Sequence, residues 1–141
     1  MQIAKERELK IRKWFSMWID KNCTGIEDLF CQDAVYVESW GPKYAGINAI
    51  RYWFEEWNTR GCVKTGDIKQ FFHKAEQSIV EWYFCNEMND GTTEEFDGLS
   101  LIQWENGKIC FLKEYGCNIN NYNPYEEGGK PVFRDEKSKW F

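Results

Sequence analysis

The chain has 141 residues, 43% hydrophobic and 18% aromatic with eight Trp, and a formal net charge of −5. That length suits one domain with a real core. The acidic balance and the absence of any long Lys/Arg run argue against nucleic acid, whose affinity comes from clustered cations. No apolar run approaches membrane-spanning length, which argues against a membrane partner. The first residues, MQIAKERELKIRK, are charged throughout and lack an apolar signal core, so the expected location is cytoplasmic.

Residues 2–21 predict a first helix, with Ile11, Trp14, Phe15 and Trp18 on one face. Thr24 and Glu27 have capping-box spacing and predict a short second helix to about Phe30. The stretch from Asp33 to Asn58 then organises the rest. It opens as a strand, Ala34 to Glu38, and breaks at Gly41-Pro42 and Gly46. It continues as a helix with Ile47, Ile50, Trp53, Phe54 and Trp57 on one face, closed by Gly61.

Beyond Cys62 the pattern becomes β. Asp67 to Lys74 and Ser78 to Glu87 are strand candidates, the latter rich in β-branched and aromatic residues. Asn89-Asp90-Gly91 and Asn106-Gly107 are hairpin turns, because Asn, Asp and Gly tolerate positive φ. Thr92 to Glu105 and Lys108 to Cys117 complete a four-stranded meander whose long strands should twist into a strongly curved sheet. Gly98 predicts a bend or bulge. Residues 119–141 show no period and read as an extension, with Trp140-Phe141 expected to dock on the domain or on a second subunit.

Six Cys, at 23, 31, 62, 85, 110 and 117, include no C-x-x-C pair, and His73 is the sole His. No metal-ligand spacing results, and no metal is expected. An even count admits a disulfide framework, but without a secretory signal the reading is reduced, structural thiols. No phosphate loop, dinucleotide fingerprint or nucleophile elbow appears, so no organic cofactor is expected either.

Several pieces, in this order, resemble a known superfamily: Phe30-Cys31-Gln32-Asp33-Ala34, the strand ending in an acid, Gly41-Pro42, Gly46 and the aromatic helix. Val80-Glu81-Trp82, Glu105 to Ile109 and Lys113-Glu114-Tyr115 follow. The pattern, over roughly residues 5–118, is similar to the nuclear transport factor 2-like superfamily, which includes ketosteroid isomerases and SnoaL-like polyketide cyclases. The resemblance implies an α+β, cone-shaped fold over residues 1–118, with N-terminal helices packed on a strongly curved antiparallel sheet. It also implies a pocket between helices and sheet, and a homodimer through the sheet's outer face. Members include isomerases, cyclases, hydrolases, dehydratases and non-catalytic proteins, so the fold does not decide the chemistry. Residue by residue, Glu38 falls where the isomerases place their catalytic carboxylate. Phe15 falls near their oxyanion Tyr, and Ser100 near their protonated Asp.

Strand alternation then sorts the side chains by face. With Ser100 inward, Phe96, Gly98 and Ile102 follow; Leu112 and Glu114 share that face, as do Tyr36 and Glu38, and Val80, Trp82, Phe84 and Asn86. Glu38 and Glu114 thus become candidate acid–base residues in an apolar pocket that raises carboxyl pKa values. His73 is the third candidate, as the chain's one imidazole. The competing reading gives each Glu only an indole N–H or Tyr hydroxyl to bind, and leaves His73 an exposed turn residue. Tyr36, Trp40, Trp53, Phe54, Trp57, Trp82, Phe84, Phe96, Ser100, Ile102 and Leu112 are the candidate ligand-binding wall, for a small apolar or aromatic ligand. Two functional readings stay open. One is a cofactor-independent isomerase, cyclase or dehydratase. The other is a non-catalytic dimeric binding or scaffold module whose rings fill the cone.

Overall fold

The structure is a computed structural model that describes residues 2–134. The first helix, α1 (Gln2–Asp20), buries Ile11, Trp14, Phe15, Met17 and Trp18 on the predicted face. A four-residue helix, α2 (Ile26–Leu29), follows without the predicted capping box. Gly25 takes the cap position with φ 91°, and no side chain caps the helix. Asn22 Oδ1 accepts from the Thr24 N–H instead, forming an Asx turn that turns the chain toward the sheet.

Six strands form one sheet, in the order β2-β1-β6-β5-β4-β3. Strand β1 (Phe30–Val37) begins four residues earlier than its apolar alternation suggests, directly at the end of α2, and stops just before Glu38. The short β2 (Lys43–Ala45) pairs antiparallel with it, and its three residues were too few for a sequence period to reveal. The helix α3 (Ile47–Arg60) runs straight into β3 (Gly61–Lys74). Gly61 is extended rather than left-handed, with φ −168°. Its role is clearance: a Cβ there would lie 2.6 Å from the Met88 sulfur.

The meander β3, β4 (Gln77–Met88), β5 (Thr93–Glu105) and β6 (Lys108–Cys117) is antiparallel throughout, and β6 pairs parallel with β1. The β5–β6 turn is Asn106-Gly107, with φ 52° and 77°, the two positive values a primed turn requires. Helices and sheet enclose one core, the sheet being curved and unclosed.

Two of the buried Trp rings in this core have their N–H groups satisfied by serines. Trp82 Nε1 donates to Ser100 Oγ at 2.9 Å, and Trp104 Nε1 donates to Ser78 Oγ at 2.8 Å. The far end of α1 is fastened by Arg7, which donates to the Ala75 carbonyl and Glu76 and lies over the Trp104 ring. After β6 the chain is largely exposed through Arg134 and makes local contacts such as Arg134 over the Tyr122 ring. Trp140 and Phe141, for which docking was expected, lie outside the described residues. All six Cys are free thiols.

Candidate functional site

The concave face of the sheet is filled in one half and hollow in the other. The register shows where the change occurs. Ser78, Ile102 and Leu112 stand side by side on β4, β5 and β6 and are fully buried in packed core. In the next inward row, Val80, Ser100 and Glu114 stand side by side, and Ser100 and Glu114 border a chamber of about 80 Å³. Toward the open edge, Phe84, Asn86 and Phe96 continue its floor. Trp14, Phe15 and Trp18 from α1 and Trp53 and Trp57 from α3 form the roof, with Tyr36, Glu38 and Val63 at the sides.

The rings brace one another. Trp18 meets Trp53 and Trp57 with centroids 5.0 and 5.4 Å apart, Tyr36 meets Trp53 at 4.8 Å, and Tyr44 stacks on Trp53 at 4.7 Å. Edge-to-face and stacked contacts of this kind fix ring orientation as well as burying area. The chamber opens into a wider vestibule. Trp40, Tyr44, Tyr52, Glu56, Arg60, Met88 and Glu94 line it, and it shares Glu38, Trp53, Trp57, Asn86, Phe96 and Glu114 with the chamber.

The two carboxylates face this space, each held by a tyrosine. The Tyr36 hydroxyl donates to Glu114 Oε2, and the Tyr44 hydroxyl donates to Glu38 Oε2 at 2.7 Å. Burial pushes the Glu114 carboxyl up to about 8, against the lowering effect of Tyr36 and the Ser39 N–H and with help from the negative charge of Glu38. Burial also raises Glu38, opposed by hydrogen bonds from Tyr44 and Trp40. Near neutrality Glu114 therefore holds a proton while its neighbour Glu38 is the readier base. Tyr36 is pushed well above the usual phenol range, first by burial and then by Glu114, so it remains a donor.

No Lys or Arg lines the chamber among the described residues. Arg60, the one cation in the vestibule among the described residues, is engaged by Glu56 on its own helix at 2.7 and 3.0 Å. Asn86, 7% exposed, borders the chamber, and its Oδ1 has no hydrogen-bond partner among the described residues.

Of the residues singled out from sequence, Glu38, Glu114, Tyr36, Trp53, Trp57, Phe84, Phe96 and Ser100 come together around the chamber. Trp40 stands in the vestibule, 64% exposed. Phe54 packs behind the wall on Trp14 and Trp18, and Trp82 packs beneath Phe84 and Phe96. Ile102 and Leu112 belong to the solid half of the core. Alternation gives the face of a strand on which a residue lies, but not its depth along a curved sheet, and these residues separate by depth.

His73 is elsewhere: its Nδ1 is 2.7 Å from Ser78 Oγ and its Nε2 is 2.8 Å from Glu8. That has the connectivity of a triad, but Ser78 is 1% exposed and its Oγ is sealed under the Trp104 indole N–H. The chamber residues left out of the candidate catalytic and ligand-binding set were Trp14, Phe15, Trp18, Val63 and Asn86. The apolar stripe of α1 and the alternation of β4 already held the signal for four of them. Val63 lay in a stretch with no recognised period.

A family profile described as a SnoaL-like domain matches residues 11–112, most of the chain. The chain belongs to the SnoaL-like family. This SnoaL-like protein also shares the nuclear transport factor 2-like fold with many solved structures. One is a hypothetical protein with a ketosteroid isomerase-like fold from Catenulispora acidiphila, solved in complex with trimethylamine. It is 17% identical with TM-score 0.68, over 75% of this chain and 83% of that one. An epoxide hydrolase of M. tuberculosis is 11% identical with TM-score 0.71, over 79% and 83%. An NTF2-like protein of unknown function from Exiguobacterium is 18% identical with TM-score 0.65, over 74% and 95%. At these identities the likeness is one of fold. A search of curated proteins finds no match to this chain.

Proposed function

We propose that this SnoaL-like protein binds a small molecule in the aromatic chamber and moves a proton on it with Glu38 and Glu114, without a cofactor. The observation that carries this reading is the pair itself. Two carboxyls share one apolar chamber, one raised to about 8 and the other less strongly held. Such a pair offers a base and an acid at the same pH. On a carbonyl compound, Glu38 takes the proton from the carbon beside the carbonyl while Glu114 supplies one to the oxygen. Return of a proton to the same or a conjugated carbon regenerates both. The other carbonyl-facing donor of the isomerases is missing from α1, where Phe15 carries no hydroxyl. The protonated Glu114, supported by Tyr36, is the group available for that duty.

The test uses cyclic enolisable ketones in D2O, with loss of the α-proton NMR signal as readout. Exchange catalysed by the wild type and lost in Glu38→Gln supports the assignment. Equal exchange by both proteins removes Glu38 from the mechanism.

A second reading is favoured by a separate observation. Leu99 and Tyr115 are paired neighbours on the outer face of β5 and β6, 40% and 50% exposed, and Phe72 on β3 is 53% exposed. An apolar outer face suits a homodimer through the sheet, with the module acting by binding rather than by turnover.

A further inference from the structure

The two carboxyls are not at the bottom of the chamber. Glu38 and Glu114 border both the chamber and the vestibule, so they stand at the neck between the two. Trp14, Phe15, Trp18, Val63 and Phe84 border the chamber alone and lie beyond that neck. The reacting atoms of a bound substrate therefore sit at the junction of two unequal spaces, about 80 Å³ on the inside and about 780 Å³ on the outside. A closed apolar cavity of about 150 Å³ takes one benzene ring, so the inner space takes about three heavy atoms.

The walls of the inner space are mostly hydrocarbon. Of its two hydroxyls, that of Tyr36 is given to Glu114, and the Ser100 oxygen holds the Trp82 indole N–H. The donors that suit a carbonyl oxygen stand at the neck. They are the Glu114 carboxyl, which keeps its proton near neutrality, and the amide N–H2 of Asn86, which also borders both spaces. An alkyl group is therefore better placed inside than the oxygen, because a polar atom buried without partners is costly. The vestibule presents open ring surface instead: Trp40 is 64% exposed and Tyr52 73%, beside Tyr44 stacked on Trp53. Such surface suits a flat apolar body.

We infer that the substrate is a ketone with two unequal arms, a small alkyl arm of about three carbons or fewer in the chamber and a flat apolar arm in the vestibule. This rests on the reading of the chamber as a site of proton transfer and adds the substrate's shape. The carbonyl sits at the neck, with its oxygen toward Glu114 and the methylene of the large arm toward Glu38. A ketone with a large ring on each side of the carbonyl has no arm that passes the neck.

The experiment offers the full chain three naphthylethyl ketones, whose second arm is methyl, ethyl or phenyl. Binding is followed in H2O by NMR at the Trp14 and Trp18 indole N–H resonances. Exchange is followed in D2O at the methylene beside the carbonyl, which all three share, relative to each ketone's rate in buffer. The methyl and ethyl ketones are expected to bind at least about tenfold tighter than the phenyl ketone and to exchange faster. Val63→Ala removes two methyls from the inner wall and should raise phenyl-ketone binding several-fold. Retained methyl-ketone binding shows that the variant is folded. Equal or tighter binding of the phenyl ketone by the wild type overturns the unequal-arm assignment, and exchange of its methylene then leaves proton transfer standing. A preference that Val63→Ala does not relax puts the small arm elsewhere and overturns it too. The expected preference without exchange of any ketone keeps the shape and removes proton transfer. If no ketone shifts a chamber indole, the assignment falls, and exchange alone judges the proton-transfer reading.

Discussion

At the scale of single residues, the Glu114 carboxyl sets the protein's response to pH. Its folded pKa, about 8, lies above the unfolded value of 4.5. The folded state therefore binds more protons than the unfolded state between these limits. Stability is greatest at the acid end of this window and falls as pH rises through it. A tenfold change in proton affinity is worth about 1.4 kcal/mol, so the effect is large for one side chain. Glu114→Gln should flatten the decline of Tm between about pH 5 and about pH 8.5 and leave the variant the more stable protein at the alkaline end. Thermal unfolding across that range checks it, and a parallel decline in both proteins would assign the effect elsewhere. Tyr36 acts on the same group with the opposite sign, since its hydrogen bond favours the carboxylate. Tyr36→Phe should move Glu114 higher still, read from the carboxyl carbon resonance in a 13C NMR titration.

At the scale of elements, Gly98 shows how the sheet makes room for its largest rings. Alternation placed it inward and its lack of a side chain suggested a bulge. In the structure β4 and β5 pair through it without a break, and the β5–β6 irregularity lies instead between Gln103 and Trp104. A Cβ at Gly98 would collide with the Trp82 ring and the Tyr115 carbonyl. The glycine lets the Trp82 ring approach the β5 backbone closely, edge-to-face with Phe84 and Phe96. Gly98→Ala is expected to cost about 1–3 kcal/mol by overpacking, measured as a lower urea midpoint. The movement of Trp82 should also disturb the chamber floor, weakening ligand binding beyond the loss of stability. Gly91, where a Cβ meets nothing within 4 Å, tests backbone strain without such a collision.

At the scale of the whole molecule, the two faces of the sheet have different uses. The inner face is divided between solid core and chamber, and the outer face exposes Phe72, Leu99 and Tyr115. The proposed homodimer would cover these. Analytical ultracentrifugation is expected to give a dimer for the wild type and a monomer for the paired substitution Leu99→Glu with Tyr115→Glu. A monomeric wild type at high micromolar concentration would dismiss the sheet interface. Because these side chains point away from the chamber, probe binding per folded chain should survive the substitution.

The amino-acid sequence determined the order of helices and strands apart from the short β2, the aromatic faces of α1 and α3, the primed turn at Asn106-Gly107 and the inward direction of Glu38 and Glu114. These follow from periods of 3.6 and 2 and from the backbone tolerance of Asn and Gly, which are properties of neighbouring residues. The capping box at Thr24 failed because Gly25, one residue later, offered a left-handed cap that the spacing rule does not weigh. Only the tertiary structure decided which inward residues reach the chamber. Trp82, Ile102 and Leu112 share a face with Phe84, Ser100 and Glu114, yet packing seals the first three and leaves the second three at a free surface. It also decided that tyrosines hold the two carboxyls while serines satisfy the Trp82 and Trp104 indoles. Those partners lie on different elements, and their meeting depends on register, sheet curvature and the volumes of side chains far apart in the chain.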